Sequence, residues 1–159
     1  MPSSSKVLLK EQLVHILTGD LAVRERAYRT AYDAATHQEA KPENDKDTRA
    51  LESSYLARGE AVRLEELRAA LLDVQAMPAH AFESGPVRLG ALVVTEEDGT
   101  PGLFLIAPHG GGARLDDGAV QVVTPKSPLG RALLGASAGD DCEVRLAGKA
   151  RTLSVVSVE

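Results

Sequence analysis

Four carboxylates crowd one short tract of this chain. Glu39, Glu43, Asp45 and Asp47 fall within the run Glu39-Ala40-Lys41-Pro42-Glu43-Asn44-Asp45-Lys46-Asp47. Acids at this density can hold a hard cation or orient a water. Mg²⁺ takes one or two protein carboxylates and keeps several waters. A second metal can then stabilise the attacking hydroxide in phosphodiester cleavage. The same residues can instead serve a helix. Asn44 is placed as an N-cap with Asp47 three residues on, and acids in a first helical turn suit the helix dipole. Asp45 and Asp47 fit that structural role better. Glu43 precedes the cap and is the strongest candidate for chemistry. Glu39 falls at the C-terminal end of the preceding helical run, where a negative charge is unfavourable, so it ranks second.

No other group of side chains has the spacing of a self-contained catalytic site. His15, His37, His80 and His109 lack metal-ligand spacing. His109-Gly110-Gly111-Gly112 lacks the Lys-Ser/Thr continuation of a phosphate loop and reads as a flexible turn. The single Cys142 excludes an intrachain disulfide and reads as a small buried hydrophobe in a strand. The chain is therefore expected not to be an enzyme by itself and to bind no metal alone.

The acids must be carried by something, and their flanks are helical. From about Ser5 to Glu39, apolar residues at Leu9, Leu13, Ile16 or Leu17, Val23, Ala27, Ala31 and Ala34 recur every three or four positions. Gly19 marks a point of local irregularity. After Pro42 a second run places Leu51, Ala57, Ala61, Leu64, Leu67, Leu71 and Val74 on one stripe, ending before Pro78. The stripes mirror each other about a point between Lys41 and Pro42. Leu9 then faces Val74, Ile16 faces Leu67 and Ala27 faces Ala57. A short connection makes neighbouring helices antiparallel, which predicts a coiled-coil hairpin over 1–78 with its tip at about 39–47. Arms of this length reach roughly 50 Å at 1.5 Å per residue. Arg24, Arg29 and Arg49, among other arginines, line the hairpin and suit phosphate contact, although glutamates intersperse with them.

From Pro86 the pattern changes to short β-type runs: Val87–Val94, Leu103–Ile106, Ala119–Val123, Cys142–Leu146 and Thr152–Val158. One short helix interrupts them. Ser127 is its N-cap, Pro128 its first residue, and Gly135 ends it. The fold class is thus α+β, with a second domain over 79–159. Formal charge is −5, from 23 acidic and 18 basic residues, which argues against a chain that coats nucleic acid wholesale. No apolar run approaches the roughly 20 residues that span a bilayer, and Met1–Ser5 leads into no signal-peptide core. A cytoplasmic protein is expected, with no membrane partner.

The string Ser127-Pro128-Leu129-Gly130-Arg131-Ala132-Leu133-Leu134-Gly135, followed by Gly139-Asp140, resembles the C-terminal domain of the bacterial transcript cleavage factors GreA and GreB. That resemblance implies an FKBP-like antiparallel sheet domain that docks on RNA polymerase near the rim of its secondary channel. Ser127, Pro128, Leu129 and Arg131 would be its docking residues. The hairpin would enter the channel, with Arg24, Arg29 and Arg49 near the nascent RNA 3′ end. DNA would be met only through the transcription complex. The family's tip motif, Gly-Asp-Leu-Ser-Glu-Asn, falls on Glu39-Ala40-Lys41-Pro42-Glu43-Asn44. Its Glu-Asn pair matches Glu43-Asn44, while its Asp falls on Ala40. Glu43 with Glu39 would then hold a second Mg²⁺ shared with the polymerase, with Asn44, Asp45 and Asp47 secondary. Stimulated cleavage of backtracked RNA is the leading expectation. A non-cleaving modulator is the alternative, because Ala40 replaces an acid. A peptidyl-prolyl isomerase is a third reading, weakened because the C-terminal half offers only Phe82 and Phe104 to line a proline pocket.

Overall fold

A computed structural model describes the backbone of residues 3–39 and 48–159, and the side chains of 6–37 and 51–159. Two long helices lead: α1 (Ser3–Glu39) and α2 (Thr48–Ala76). A mixed sheet and one short helix follow. By contact the chain divides into two compact units, Met1–His15 with Leu72–Glu159, and Ile16–Leu71.

The Ile16–Leu71 unit is a helical pair with a thin seam. Leu17, Ala31 and Ala35 of α1 and Ala57, Leu64 and Ala70 of α2 are buried. Alanines hold much of that seam, so it gains little apolar burial per residue. Ion pairs supplement it: Arg24 lies 3.6 Å from Glu60 and Arg68 lies 3.5 Å from Glu25. The observed stripe departs from the sequence expectation at several positions. Of the alternatives Ile16 and Leu17, Leu17 is the buried one, while Ala35 is buried where Ala34 was expected. Val23 and Leu51 face solvent. Glu60, one of the glutamates interspersed with the hairpin arginines, occupies the seam at 8 % exposure. The shifts from Ala34 to Ala35 and from Ala61 to Glu60 are rotations by one residue, about 100° on a helix, and alanine-rich periodicity cannot fix that angle. Gly19 lies in unbroken helix, with no irregularity.

In the other unit the strands are β1 (Leu92–Glu97), β2 (Thr100–Ile106), β3 (Arg114–Leu115), β4 (Val120–Val123), β5 (Asp141–Leu146) and β6 (Lys149–Val158). Helix α3 (Pro128–Leu133) falls between β4 and β5. The sheet order is β3-β4-β2-β1-β6-β5. Two-residue turns close β1–β2 at Asp98-Gly99 and β5–β6 at Ala147-Gly148, with positive φ at all four residues. That is the geometry that matches strand twist in a tight hairpin.

The sheet is mixed where an antiparallel one was expected, because β2 and β4 pair in parallel. A parallel pair needs a crossover connection. Here the segment between them provides it and carries β3 back against β4. The expected strand start at Val87 is also displaced. Gly90 has φ 86°, which breaks extension, and pairing with β2 begins at Leu92. One face of the sheet and α3 enclose a core of Val87, Ala91, Val93, Ile106, Val123, Leu133, Cys142 and Val155. Burial pushes the Cys142 thiol up, as do Asp140 and Asp141.

Candidate functional site

Glu39 is the last residue of α1. Glu43, Asn44, Asp45 and Asp47 lie outside the described residues, between α1 and α2. Arg49 is in the first turn of α2. The acids and Arg49 therefore belong to the segment that joins the helices and its immediate flanks. Among the described residues no group of three or more His, Cys, Asp or Glu could hold a metal ion. No helix among them is long and apolar enough to cross a membrane.

The motif at residues 127–135 is built for its own fold. Ser127 Oγ accepts from the Gly130 N–H at 3.0 Å and donates to the Thr124 carbonyl at 2.8 Å. Both capacities of that hydroxyl are thereby used. Pro128 sits at the first helical position, where its missing N–H costs nothing. Gly130 is packed so closely that an added Cβ would lie 1.9 Å from the Thr124 carbonyl oxygen. Leu129 and Leu133 turn toward the sheet core. Of the four docking candidates, then, Ser127 and Leu129 are committed to the fold. Pro128 and Arg131 remain exposed. A shallow groove of about 320 Å³ runs beside the helix, lined by Gly112, Gln121, Val123, Ser127, Pro128 and Leu129.

The hairpin arginines divide in the same way. Arg24 is engaged with Glu60, which also pairs with Arg63 at 3.0 Å. Arg68 joins Glu65 and Glu25. Arg29 is exposed and has no ion pair among the described residues.

Lys6 went unnoticed in the sequence, where it reads as one more surface lysine. It is 2 % exposed. Its Nζ donates to the His80 carbonyl at 2.8 Å and the Glu159 carbonyl at 2.9 Å, and lies 3.8 Å from the Phe82 ring centroid. Arg88 rests on the same ring. Burial brings the Lys6 amine down to about 8; Arg88 adds to that lowering and Glu159 opposes it. Lys10 Nζ donates to the Met77 carbonyl and Gln12 Oε1 accepts from the Asp116 N–H. His109 Nε2 meets Asp73 at 2.7 Å. The first turns of α1 and the end of α2 are thus tied into the sheet unit by polar contacts at several separate points. The Gly-rich turn takes part: a Cβ on Gly110 would meet Leu13 at 2.6 Å, so the turn packs closely on α1. The only signal in the sequence for Lys6 was its helical phase, three residues before Leu9.

In chain order, two long helices precede a mixed sheet with one capped helix. Residues 85–159 match the family model described as transcription elongation factor GreA/GreB, C-terminal. Residues 85–159 are thus similar to a GreA/GreB C-terminal domain. Among solved structures, GreA factor homolog 1 (Gfh1) of Thermus thermophilus is similar at 18 % identity, covering 92 % of this chain and 94 % of that one, with a TM-score of 0.41. Gfh1 of Thermus aquaticus is similar at 17 % identity, covering 91 % and 92 %, with a TM-score of 0.42. A GreA/GreB elongation factor from Nitrosomonas europaea is similar at 14 % identity over 64 % of this chain and 91 % of that one, with a TM-score of 0.38. These likenesses are distant, and the C-terminal match covers residues 85–159 alone. None of the curated proteins matches the chain.

Proposed function

We propose that this protein binds RNA polymerase through its sheet domain and inserts the helical hairpin into the secondary channel, bringing the acidic tip to the active centre. The observation that carries this reading is a GreA/GreB C-terminal domain joined to a helical hairpin whose connecting segment holds Glu43, Asp45 and Asp47. Docking falls to the exposed surface around Pro128 and Arg131, with Ser127 and Leu129 holding that surface in shape. Arg24, Arg29 and Arg49 lie along the path to the tip, where the nascent RNA 3′ end is met. The protein acts as an accessory factor, and the polymerase supplies the catalytic machinery.

Glu43 and Glu39 form a donor set suited to Mg²⁺, which needs only one or two protein carboxylates. When bound, such an ion supplies positive charge beside the phosphodiester. The protein's own part is to hold the carboxylates at the tip and orient a water. Ala40 supports a second reading, since it stands where the family motif has its other acid. In that version the same insertion modulates initiation, pausing or elongation without cleavage.

Stalled, backtracked elongation complexes incubated with the protein distinguish the two. The expected result is shortening of the RNA from its 3′ end, abolished by Glu43→Ala. Full activity in that variant would show that Glu43 is not the acting acid. Absence of cleavage by the unaltered protein at every Mg²⁺ concentration would establish the modulator reading. Absence of polymerase binding would remove both.

A further inference from the structure

We propose that the hairpin stem carries a binding site for a nucleobase bearing a phosphate, formed by Tyr28, Arg29 and Tyr32 of α1 with Glu65 and Arg68 of α2. A groove of about 360 Å³ separates these residues, floored by Ala61 and Leu64. That volume is in the range of small-molecule sites. Tyr28 and Tyr32 are one helical turn apart, with ring centroids at 5.9 Å and planes tilted by 35°. Tyr32 is 53 % exposed, so its ring is not spent on the seam. Every nucleobase has a π-face, and an exposed tyrosine ring is the common platform for one.

The polar groups of the groove favour a base over a bare phosphate. Arg68 donates to Glu65 at 2.6 Å and reaches Glu25 at 3.5 Å. Arg68 and Arg29 together match the two carboxylates in charge, and each carboxylate keeps lone pairs that can accept from the amino and imino groups of a base. An aromatic, hydrogen-bonding groove with no excess of charge suits an uncharged heterocycle. Arg29 lines the same groove, is exposed, and has no ion pair among the described residues. Its guanidinium is the group that takes the phosphate, in the two-pronged geometry arginine offers. A proline-rich peptide also favours tyrosine rings, but it gives Arg29 no anion to bind. The proposal rests on the channel-insertion reading only for the source of the ligand, an RNA end or a free nucleotide.

The test uses the full chain without polymerase, so its failure leaves the insertion reading standing. Failure of the cleavage assay likewise leaves this site standing. The aromatic spectrum is sparse, with Tyr28, Tyr32 and Tyr55 the only tyrosines, Phe82 and Phe104 the only phenylalanines, and no Trp. Guanosine monophosphate and a short single-stranded oligoribonucleotide are titrated in turn and followed by NMR. Tyr28 and Tyr32 ring signals should shift upfield while Tyr55 stays in place. A mononucleotide should bind at about millimolar Kd, the scale of one stacked ring and one exposed ion pair. Tyr32→Ala should weaken binding by about tenfold and Tyr32→Phe should retain it. Arg29→Gln should weaken the nucleotide while leaving guanosine unchanged. Binding of the oligonucleotide far above the mononucleotide assigns an RNA strand. Equal binding assigns a free nucleotide, and either result upholds the site. Unmoved tyrosine signals, unchanged affinity in Tyr32→Ala, or a proline-rich peptide that shifts these rings when nucleotides do not would each overturn it.

Discussion

Two glycines show how differently the halves of this chain use their residues. Gly130 in α3 has the Thr124 backbone where its Cβ would be, at 1.9 Å. Gly19 in α1 has nothing within 4 Å of the same point. In the sheet domain the residues that make the sequence recognisable are spent on packing and capping. Ser127 closes a helix end, Gly130 permits a close approach, and Leu133 fills the core. In the hairpin most side chains touch solvent, and the seam is largely alanine. A recognisable motif can therefore report the scaffold of one unit and leave the other, with less packing constraint, unmarked. Gly130→Ala is the sharpest test of the first half of that contrast. Its methyl group meets a backbone carbonyl that cannot swing away, so α3 must shift off Thr124 and lose its cap. A loss of about 3 kcal/mol is expected, at the upper end for overpacking. The urea midpoint should fall, and amide exchange at Val93 and Val155, which lie under α3, should accelerate. An unchanged midpoint would mean that the motif tolerates a side chain there and is not held by packing.

The contrast extends to buried charge. Lys6 lies in the sheet-bearing unit and Glu60 in the helical pair, at 2 % and 8 % exposure. Glu60 has two arginines within ion-pair distance. Lys6 has carbonyl oxygens and an aromatic ring; burial and then Arg88 work against its charge, and Glu159 favours it. Its amine is accordingly lowered from 10.5 to about 8 in the folded protein. The unfolded chain then binds more protons than the folded one between those values, so stability rises with pH in that window. Below about pH 8 both states are protonated and the full burial cost is felt. Lys6→Met should remove this dependence. The difference in unfolding free energy, natural chain minus variant, should climb by on the order of 2 kcal/mol from pH 8 to 10.5. Titrating groups that the natural chain and the variant share cancel in the difference. A flat difference would show that the amine stays charged when buried.

Much of this architecture could be read from residue order. The capped helix at Pro128 was legible because Ser, Pro and Gly each act through local backbone geometry. The two helices and most strands were legible from period alone. What escaped depended on contacts distant in sequence. Lys6 is buried by His80, Phe82 and Glu159, none of which is near it in the chain. Glu60 sits at a seam position because arginines from both helices reach it. The parallel pairing of β2 and β4 depends on a crossover whose own strand, Arg114–Leu115, is too short to show a period. Of the candidate site, Glu39 and Glu43 were chosen for the chemistry of their side chains. The Tyr28–Tyr32 groove was missed because exposed tyrosines on a helix look like any other surface residues until the partner helix is in place.

The smallest expected effect completes the comparison with the opposite sign. Gly19 lies mid-helix, exposed, in a stretch of α1 without a kink. Glycine there costs helical stability because its backbone has the most freedom to lose, and the open space around it removes any packing reason for its presence. Gly19→Ala should therefore stabilise the hairpin by about 0.5–1 kcal/mol. Amide exchange in the flanking turns of α1 should slow by about threefold, with the sheet amides unaffected. If the same exchange sped up instead, the site would need the freedom that only glycine gives. The long helix would then contain a hinge, and the view of the hairpin as a lightly constrained rigid probe would have to give way to one in which bending at Gly19 is part of its work.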